Sequence, residues 1–315
     1  MSTTPPASTP IPPLAVRPGV GATFFGSLPR DLDAHRDVIR ASDVVTLHTS
    51  ADPSDVQSAA LVRQVNPDAR VWLAIPGNYL SRMDLSRGRE ATVAEARRCA
   101  RVALACGAEV FEINGEGASD GLTAGDWTSA PTDDREARRL GSLAVEVLEA
   151  ARAELGARCA LGWTSHDMPG FRLPWSEILS RVDLHSPQHY PAMEGATVTQ
   201  RDLERRIAKS DGRWEALVDR HEVPADAVPY GTRWSPYLQG WGHDLGALVW
   251  GLCEAATVRL WACPGSWSPV AVEALTLARR LRAAVGPSVE AWQRAHGLAP
   301  DGVVGPATLA SLRAP

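Results

Sequence analysis

Glu109-Val110-Phe111-Glu112-Ile113-Asn114-Gly115-Glu116 is the stretch that decides how this chain folds. An Ala-rich helical pattern ends just ahead of it at Gly107, and the apolar and aromatic residues that follow read as a strand. Successive strand side chains point to opposite faces, so Phe111 and Ile113 project one way and Glu112, Asn114 and Glu116 the other. The apolar pair suits contact with covering helices. The polar row costs free energy inside a protein unless it is paired or used. Gly115 and Gly117 flank Glu116 and loosen the chain into 118–130, which puts Glu116 at the C-terminal end of the strand. In a parallel α/β barrel, chemistry collects at that end.

Outward from this strand, short apolar runs alternate with amphipathic helical stretches. Strands are expected at 21–25, 44–48, 71–75, 110–114, 160–164, 184–188, 228–232 and 258–262. Helices are expected at 32–41, 53–65, 93–106, 135–155, 175–181, 200–220, 245–256 and 270–284. Eight such units over roughly 260 residues give the pattern and size of a (β/α)8 TIM barrel, an α/β fold. A doubly wound open sheet fits less well, because no Gly-rich phosphate turn follows a strand. Asp52 and Thr92 stand where N-caps belong, and Pro53 suits a first helical position. Loops 191–199 and 235–244 are long enough to wall a cleft. Beyond the barrel, 288–298 reads as a helix closed by Gly297, and Asp301-Gly302 opens a tight turn into a short helix starting at Pro306.

Composition narrows the function. The chain has 315 residues, 44% of them hydrophobic, and a net charge of −5, which argues against non-specific binding to nucleic acid. No apolar run is long enough to insert in a membrane. Cys99, Cys106, Cys159, Cys253 and Cys263 show neither disulfide nor zinc-ligand spacing, and no metal or other cofactor is implied. Residues 1–13 are rich in Pro, Ser and Thr and lack a secretory pattern. The protein is therefore expected to be made in the cytoplasm without a signal peptide.

The tail resembles the peptidoglycan-binding module common on cell-wall hydrolases, through Val289, Trp292-Gln293, Gly297-Leu298, Asp301-Gly302, Val304-Gly305-Pro306 and Thr308. The module's first helix is missing or merged with 270–284. The resemblance implies that Trp292, Gln293, Asp301 and Gly302 bind wall. The barrel resembles glycoside hydrolases that cleave beside N-acetylglucosamine, such as the family 18 chitinases, whose fourth strand carries alternating acids ending in a catalytic Glu. Asn114 stands where those chitinases have Asp. The endo-β-N-acetylglucosaminidases of family 85 have an Asn-x-Glu there, and Asn114-Gly115-Glu116 is similar to it. Ser186-Pro187-Gln188-His189-Tyr190 resembles the chitinase Met-x-Tyr element, and Trp261 the floor Trp. A family 25 lysozyme-like barrel, also with paired acids on a strand, is a close competitor. The chain then divides into a flexible arm (1–17), a glycosidase-like barrel (18–284) and a partial peptidoglycan-binding module (285–315).

These likenesses imply a hydrolase of bacterial cell-wall glycan. Ordinary glycosidases use two carboxylates ~5–5.5 or ~6.5–9.5 Å apart. Glu112 and Glu116 sit ~13 Å apart along one strand, which is too far, and Asp167 is the acid better placed to pair with Glu116. Alternatively, the sugar's 2-acetamido oxygen is the nucleophile, Glu116 the general acid, and Asn114 and Tyr190 hold the acetamide. Glu112 and Gln188 are further candidates for substrate contact. So are Trp127, Trp163, Trp234, Trp261 and Trp267, since flat indoles stack on sugar faces. His48, His166 and His189 fall near strand ends, where three His could hold a metal, but no acid–His spacing supports this. Ser165-His166-Asp167 is not a triad, because adjacent strand residues face opposite ways. Such a lysin, whether phage endolysin, tail-associated lysin or autolysin, would reach the wall after release by lysis, holin or injection. The rival class is a non-catalytic glycan-binding barrel or a structural part of a phage or injection particle.

Overall fold

The apolar runs pair in sequence order. In the computed structural model, β1 (Gly19–Phe25), β2 (Val44–His48), β3 (Arg70–Pro76), β4 (Val110–Asn114), β5 (Ala160–His166), β6 (Leu184–His189), β7 (Tyr237–Gln239) and β8 (Thr257–Trp261) form a closed parallel barrel. β8 returns to β1, with Gly21 opposite Arg259. The structure describes residues 13–25, 28, 32–115, 134–166, 174–189, 197–220, 223, 225–227, 233–261 and 267–315. The expected strand at 228–232 lies outside them. The described partner of β6 and β8 is instead Tyr237–Gln239, inside a segment that reads as loop because Pro236 breaks the strand pattern.

Around the barrel run α1 (Leu32–Ala41), α2 (Ser54–Val65), α3 (Gly77–Arg87), α4 (Arg89–Ala105), α5 (Asp134–Leu155), α6 (Trp175–Leu179), α7 (Gln200–Asp219), α8 (Leu245–Gly251) and α9 (Pro269–Val285), followed by α10 (Val289–Ala295) and α11 (Pro306–Arg313). α1 covers the barrel through an apolar stripe that buries Val38, Ile39 and Ala41. α3 has no counterpart in the sequence reading, because its apolar periodicity is weak. Gly88, at φ 84°, separates it from α4. Thr92 consequently lies inside α4, its hydroxyl donating to the Gly88 carbonyl, and is not the cap expected of it. α7 begins with a capping box, Thr199 and Asp202 satisfying each other's backbone N–H.

Strand alternation splits the interior in two. Phe111, Ile113, Leu161 and Trp163 face the helices in the main core, while Val44, Trp72, Val110, Ala160 and Leu184 form a separate apolar plug inside the barrel's N-terminal end. Leu14 and Val16 pack against that plug. Arg70 grips the same segment, donating to the carbonyls of Arg17 and of Pro18 (2.9 Å), and Leu14 N–H donates to Asp183 (2.8 Å). The part of the expected flexible arm from Leu14 to Arg17 is thus seated, because two alternating apolar residues in it find a surface.

The tail does not stand apart either. Val289, Trp292, Val304 and Leu312 belong to the main core, and α10 and α11 both pack on α9. α9 therefore serves as the eighth barrel helix and as the helix the tail lacks. The expected boundary at 284/285 is no break in packing. Trp292→Ala is expected to cost about 3–5 kcal/mol, and to lower the melting of barrel and tail together. Calorimetry showing two separate transitions, with only the smaller one shifted, would contradict the shared core.

Candidate functional site

Above the apolar plug, the barrel interior turns polar. Glu112 is fully buried, with Arg259 opposite it on β8, also fully buried. Arg259 Nη1 and Nη2 reach the Glu112 carboxylate at 2.8 and 3.1 Å, and Tyr237 donates its hydroxyl proton to Glu112 at 2.5 Å. Arg259 also donates to Ser186 (2.7 Å), and its guanidinium lies 3.8 Å from the Tyr237 ring centroid and 4.3 Å from that of Trp72. Gly162 makes room for this pair, since a Cβ there would stand 3.2 Å from Glu112 Cγ. Burial pushes the Glu112 carboxyl up. Arg259, with hydrogen bonds from Arg259, Ser186 and Tyr237, outweighs it and holds the carboxyl below its ordinary range. Burial raises the Tyr237 hydroxyl well above its ordinary value. Glu112 is therefore an ion-paired member of the interior and not the substrate contact expected. The sign of its partner was legible: Arg259 is a lone charge in the apolar run 257–261, and a buried charge calls for an opposite one.

One layer nearer the mouth sits Asn114. Its Nδ2 meets His48 Nε2 at 3.4 Å, and its Oδ1 accepts from Gln188 Nε2 at 3.3 Å. His48 packs edge-on to Trp261 (5.2 Å), and Trp261 to Tyr237 (5.5 Å). Burial lowers the His48 pKa to about 4, against a smaller opposing pull from Glu112, so His48 is a neutral acceptor at neutral pH. Three candidates thus converge here: Asn114 and Gln188 as hydrogen-bonding groups, and Trp261 as a half-buried ring at the end of β8. Sequence reasoning placed His48 near a strand end but missed its link to Asn114, which depends on β2 and β4 flanking β3 so that both side chains turn inward above it.

The chain leaves this layer through Gly115, whose N–H donates to the Thr164 carbonyl at 2.8 Å. A Cβ at Gly115 would lie 2.5 Å from the Trp163 ring, so only glycine lets the main chain pass. Glu116, Asp167, Tyr190 and Trp127 lie outside the described residues.

Two expected sugar platforms are not in the cleft. Trp163 is fully buried on the helix side of β5, because Gly162 and Thr164 take the inward positions. Trp234 is 6% exposed behind β6, edge-on to His185 (5.1 Å). Trp267 is half-buried against the main core on the helix side, its ring 5.6 Å from Phe24 and 3.2 Å from where a Cβ of Gly240 would be. The three His do not converge. His48 faces inward, His189 faces outward beside Trp234 (6.4 Å), and the His166 side chain is outside the described residues. Among the described residues, no cluster of His, Cys, Asp or Glu has the arrangement of a metal site. Ser165 is buried and meets His185 Nε2 at 2.9 Å on the helix side, away from Asn114.

In the tail, the motif residues expected to bind wall hold the fold together. Gln293 is buried, donating to Asp301 (2.8 Å), Val303 O (2.9 Å) and Thr308 (3.1 Å), and accepting from Gly302 N–H (3.0 Å). Trp292 is 2% exposed and donates to Ser311. Gly302 is at φ 72°, a left-handed turn that suits glycine. These contacts replace the wall-binding role expected of Trp292 and Gln293 with a structural one.

Behind β6, a cavity of ≈ 10 Å³, about one water in size, is lined by His189, Asp211, Trp234 and Glu254. Burial, then the nearby carboxylates of Glu204 and Asp211, raise Glu254 to about 7. A folded-state pKa above the unfolded 4.5 stabilises the protein below pH 4.5, and that contribution is lost as pH rises to 7. Glu254→Gln is expected to flatten the fall in melting temperature over this window, a difference of up to about 3 kcal/mol. Melts from pH 4.5 to 8 check it. An unchanged slope would mean that Glu254 is solvated.

Residues 284–312 match the family described as Putative peptidoglycan binding domain. A comparison with curated proteins returned no match. Among solved structures, the chain is similar to the GH18 chitinase ChiB from the chitin utilization locus of Flavobacterium johnsoniae, with TM-score 0.54 and 10% identity over 84% of this chain and 94% of that one. It is equally similar to chitinase RmChi1 from Rhizomucor miehei, with TM-score 0.54 and 11% identity over 82% and 99%. At such identities the likeness is one of fold, a (β/α)8 barrel. In this chain the matched residues 284–312 pack on the last barrel helix, α9.

Proposed function

We propose that the protein hydrolyses peptidoglycan, cutting a glycosidic bond beside an N-acetylated sugar with Glu116 as general acid. The observation that carries this reading is Asn114, held between His48 and Gln188 at the mouth end of β4, two residues before Glu116. With its Nδ2 turned to His48 and its Oδ1 to Gln188, the Asn114 amide is fixed in orientation. It carries no proton to exchange with an acid. Such a group suits holding a substrate acetamide while the acetamide oxygen attacks the anomeric carbon. Glu116 gives its proton to the leaving oxygen, a cyclised intermediate forms, and water reopens it, with Glu116 as base. Tyr190 is the second candidate holder of the acetamide, and Trp261 the floor under the sugar. The peptidoglycan-binding match supports wall glycan as the polymer, whose sugars carry acetamido groups. Acting there requires the protein to reach the wall. Among the described residues, no helix is long and apolar enough to cross a membrane.

The test is paired. Purified peptidoglycan is digested, the new reducing-end sugar is identified, and a thiazoline mimic of the cyclised acetamide is added. New reducing ends and thiazoline inhibition are expected, together with a loss in Asn114→Ala of several kcal/mol of barrier lowering. Digestion without thiazoline inhibition, and lost in Asp167→Asn, would replace this mechanism with a two-carboxylate one. No new reducing ends would leave the rival reading, a glycan-binding barrel.

A further inference from the structure

The Asp301-Gly302 turn of the tail lies against the first turns of α7 and α8. Gln200, the first residue of α7, donates from Nε2 to the Gly302 carbonyl at 3.0 Å and accepts at Oε1 from Val304 N–H at 2.9 Å. On α8, a Cβ at Gly246 would stand 2.3 Å from the Val304 carbonyl oxygen, so the backbones touch there. Arg313 pairs with Glu273 of α9 at 2.7 Å. Helix N-termini in this fold follow strand C-terminal ends, at the mouth. Residues 240–244 alone separate β7 from α8, and Val198, just ahead of α7, bridges to His243, just ahead of α8. The turn therefore stands on the mouth side of the outer wall, beside the connections that leave β6 and β7. Those strands carry Gln188 and Tyr237, neighbours of the Asn114 layer. The outer edge of the turn is open: Pro300 and Asp301 are exposed, and Val303 is 49% exposed.

We propose that the ridge 299–303 is a fixed extension of the cleft, contacting the same N-acetylated glycan strand that enters the barrel mouth. The tail then acts as a remote subsite and not as a tether. This rests on the function proposed above. A tethered module raises local concentration to a degree set by its linker. Here α9 belongs to both parts, so the second contact has one distance and one direction from the first. It helps only strands long enough to span both. Because Gln293 and Trp292 are consumed in holding the turn, the contact surface is the exposed edge, with Val303 its apolar centre.

Affinity is measured for short and for long peptidoglycan glycan strands freed of stem peptides, with Glu116→Gln protein so that the strands stay intact. Long strands are expected to bind on the order of tenfold more tightly than short ones. Adding Val303→Asp, a surface change, is expected to remove that gain while short-strand affinity serves as the internal reference. Gln200→Ala, which loosens the clamp, is expected to shrink it. Equal affinity for both lengths, or a gain that survives Val303→Asp, overturns the proposal. Cleavage of short strands by the unmodified protein is scored separately and reports on the proposed function alone.

Discussion

Glu116→Gln is expected to abolish the release of reducing ends from peptidoglycan while leaving the melting temperature at the parent value. Gln matches Glu in shape and removes only the transferable proton. Loss of a positioned general acid lowers the rate by about a hundred- to ten-thousandfold. The main chain ahead of this residue is fixed independently of it, by the Gly115 N–H bond to Thr164 and the passage over Trp163. The substitution is therefore not expected to disturb β4. Wall suspensions cleared at the parent rate would remove Glu116 from the mechanism. A variant that both fails to clear and melts early would point to a structural role, and Glu116→Asp would then separate the two, since it keeps an acid but shortens its reach.

The second large effect concerns stability. Arg259→Met strands the Glu112 carboxylate in the barrel with no opposite charge, and breaking a buried pair in this way costs about 3–5 kcal/mol. For a chain of this size the melting temperature should fall by roughly 10 °C. Replacing both residues, Glu112→Leu with Arg259→Met, should recover much of the loss, because neither charge then needs solvation. The pH dependence has a definite sign. The folded Glu112 carboxyl is held below its ordinary value, so the pair's contribution is present above the unfolded pKa of 4.5 and is lost as pH falls through the folded value. Arg259→Met should erase that acid-side loss. A single variant as stable as the double, with the parent's acid profile, would show that the pair contributes nothing.

Much of the barrel was legible because parallel strands are covered on both sides and read as short apolar runs between amphipathic helices. Phe111 and Ile113 face the helices, and Glu112 and Asn114 the interior, as alternation requires. What alternation could not supply was partnership between strands distant in sequence. Glu112 read as a substrate group because Arg259 is 147 positions away, and His48 lies 66 positions from Asn114. Trp163 and Trp234 read as sugar platforms from their positions at strand ends. The face each occupies follows from its neighbours, Gly162 and Thr164 in one case and the bridge to His185 in the other. Trp292 and Gln293 read as ligand contacts because motif residues attract that reading, yet a segment this short spends its most distinctive side chains on its own turn.

Arg70 and the barrel floor have a bearing on how the protein can be handled. Leu14 and Val16 seal the N-terminal end of the barrel, and Arg70 pins the two carbonyls that follow, so the chain enters at the end opposite the mouth. An affinity handle, fluorophore or solid support joined ahead of Leu14 would hang below the floor. A protein immobilised there would present its open end outward to an insoluble polymer, whereas attachment after Arg313 would crowd the flank that α9 shares with the tail.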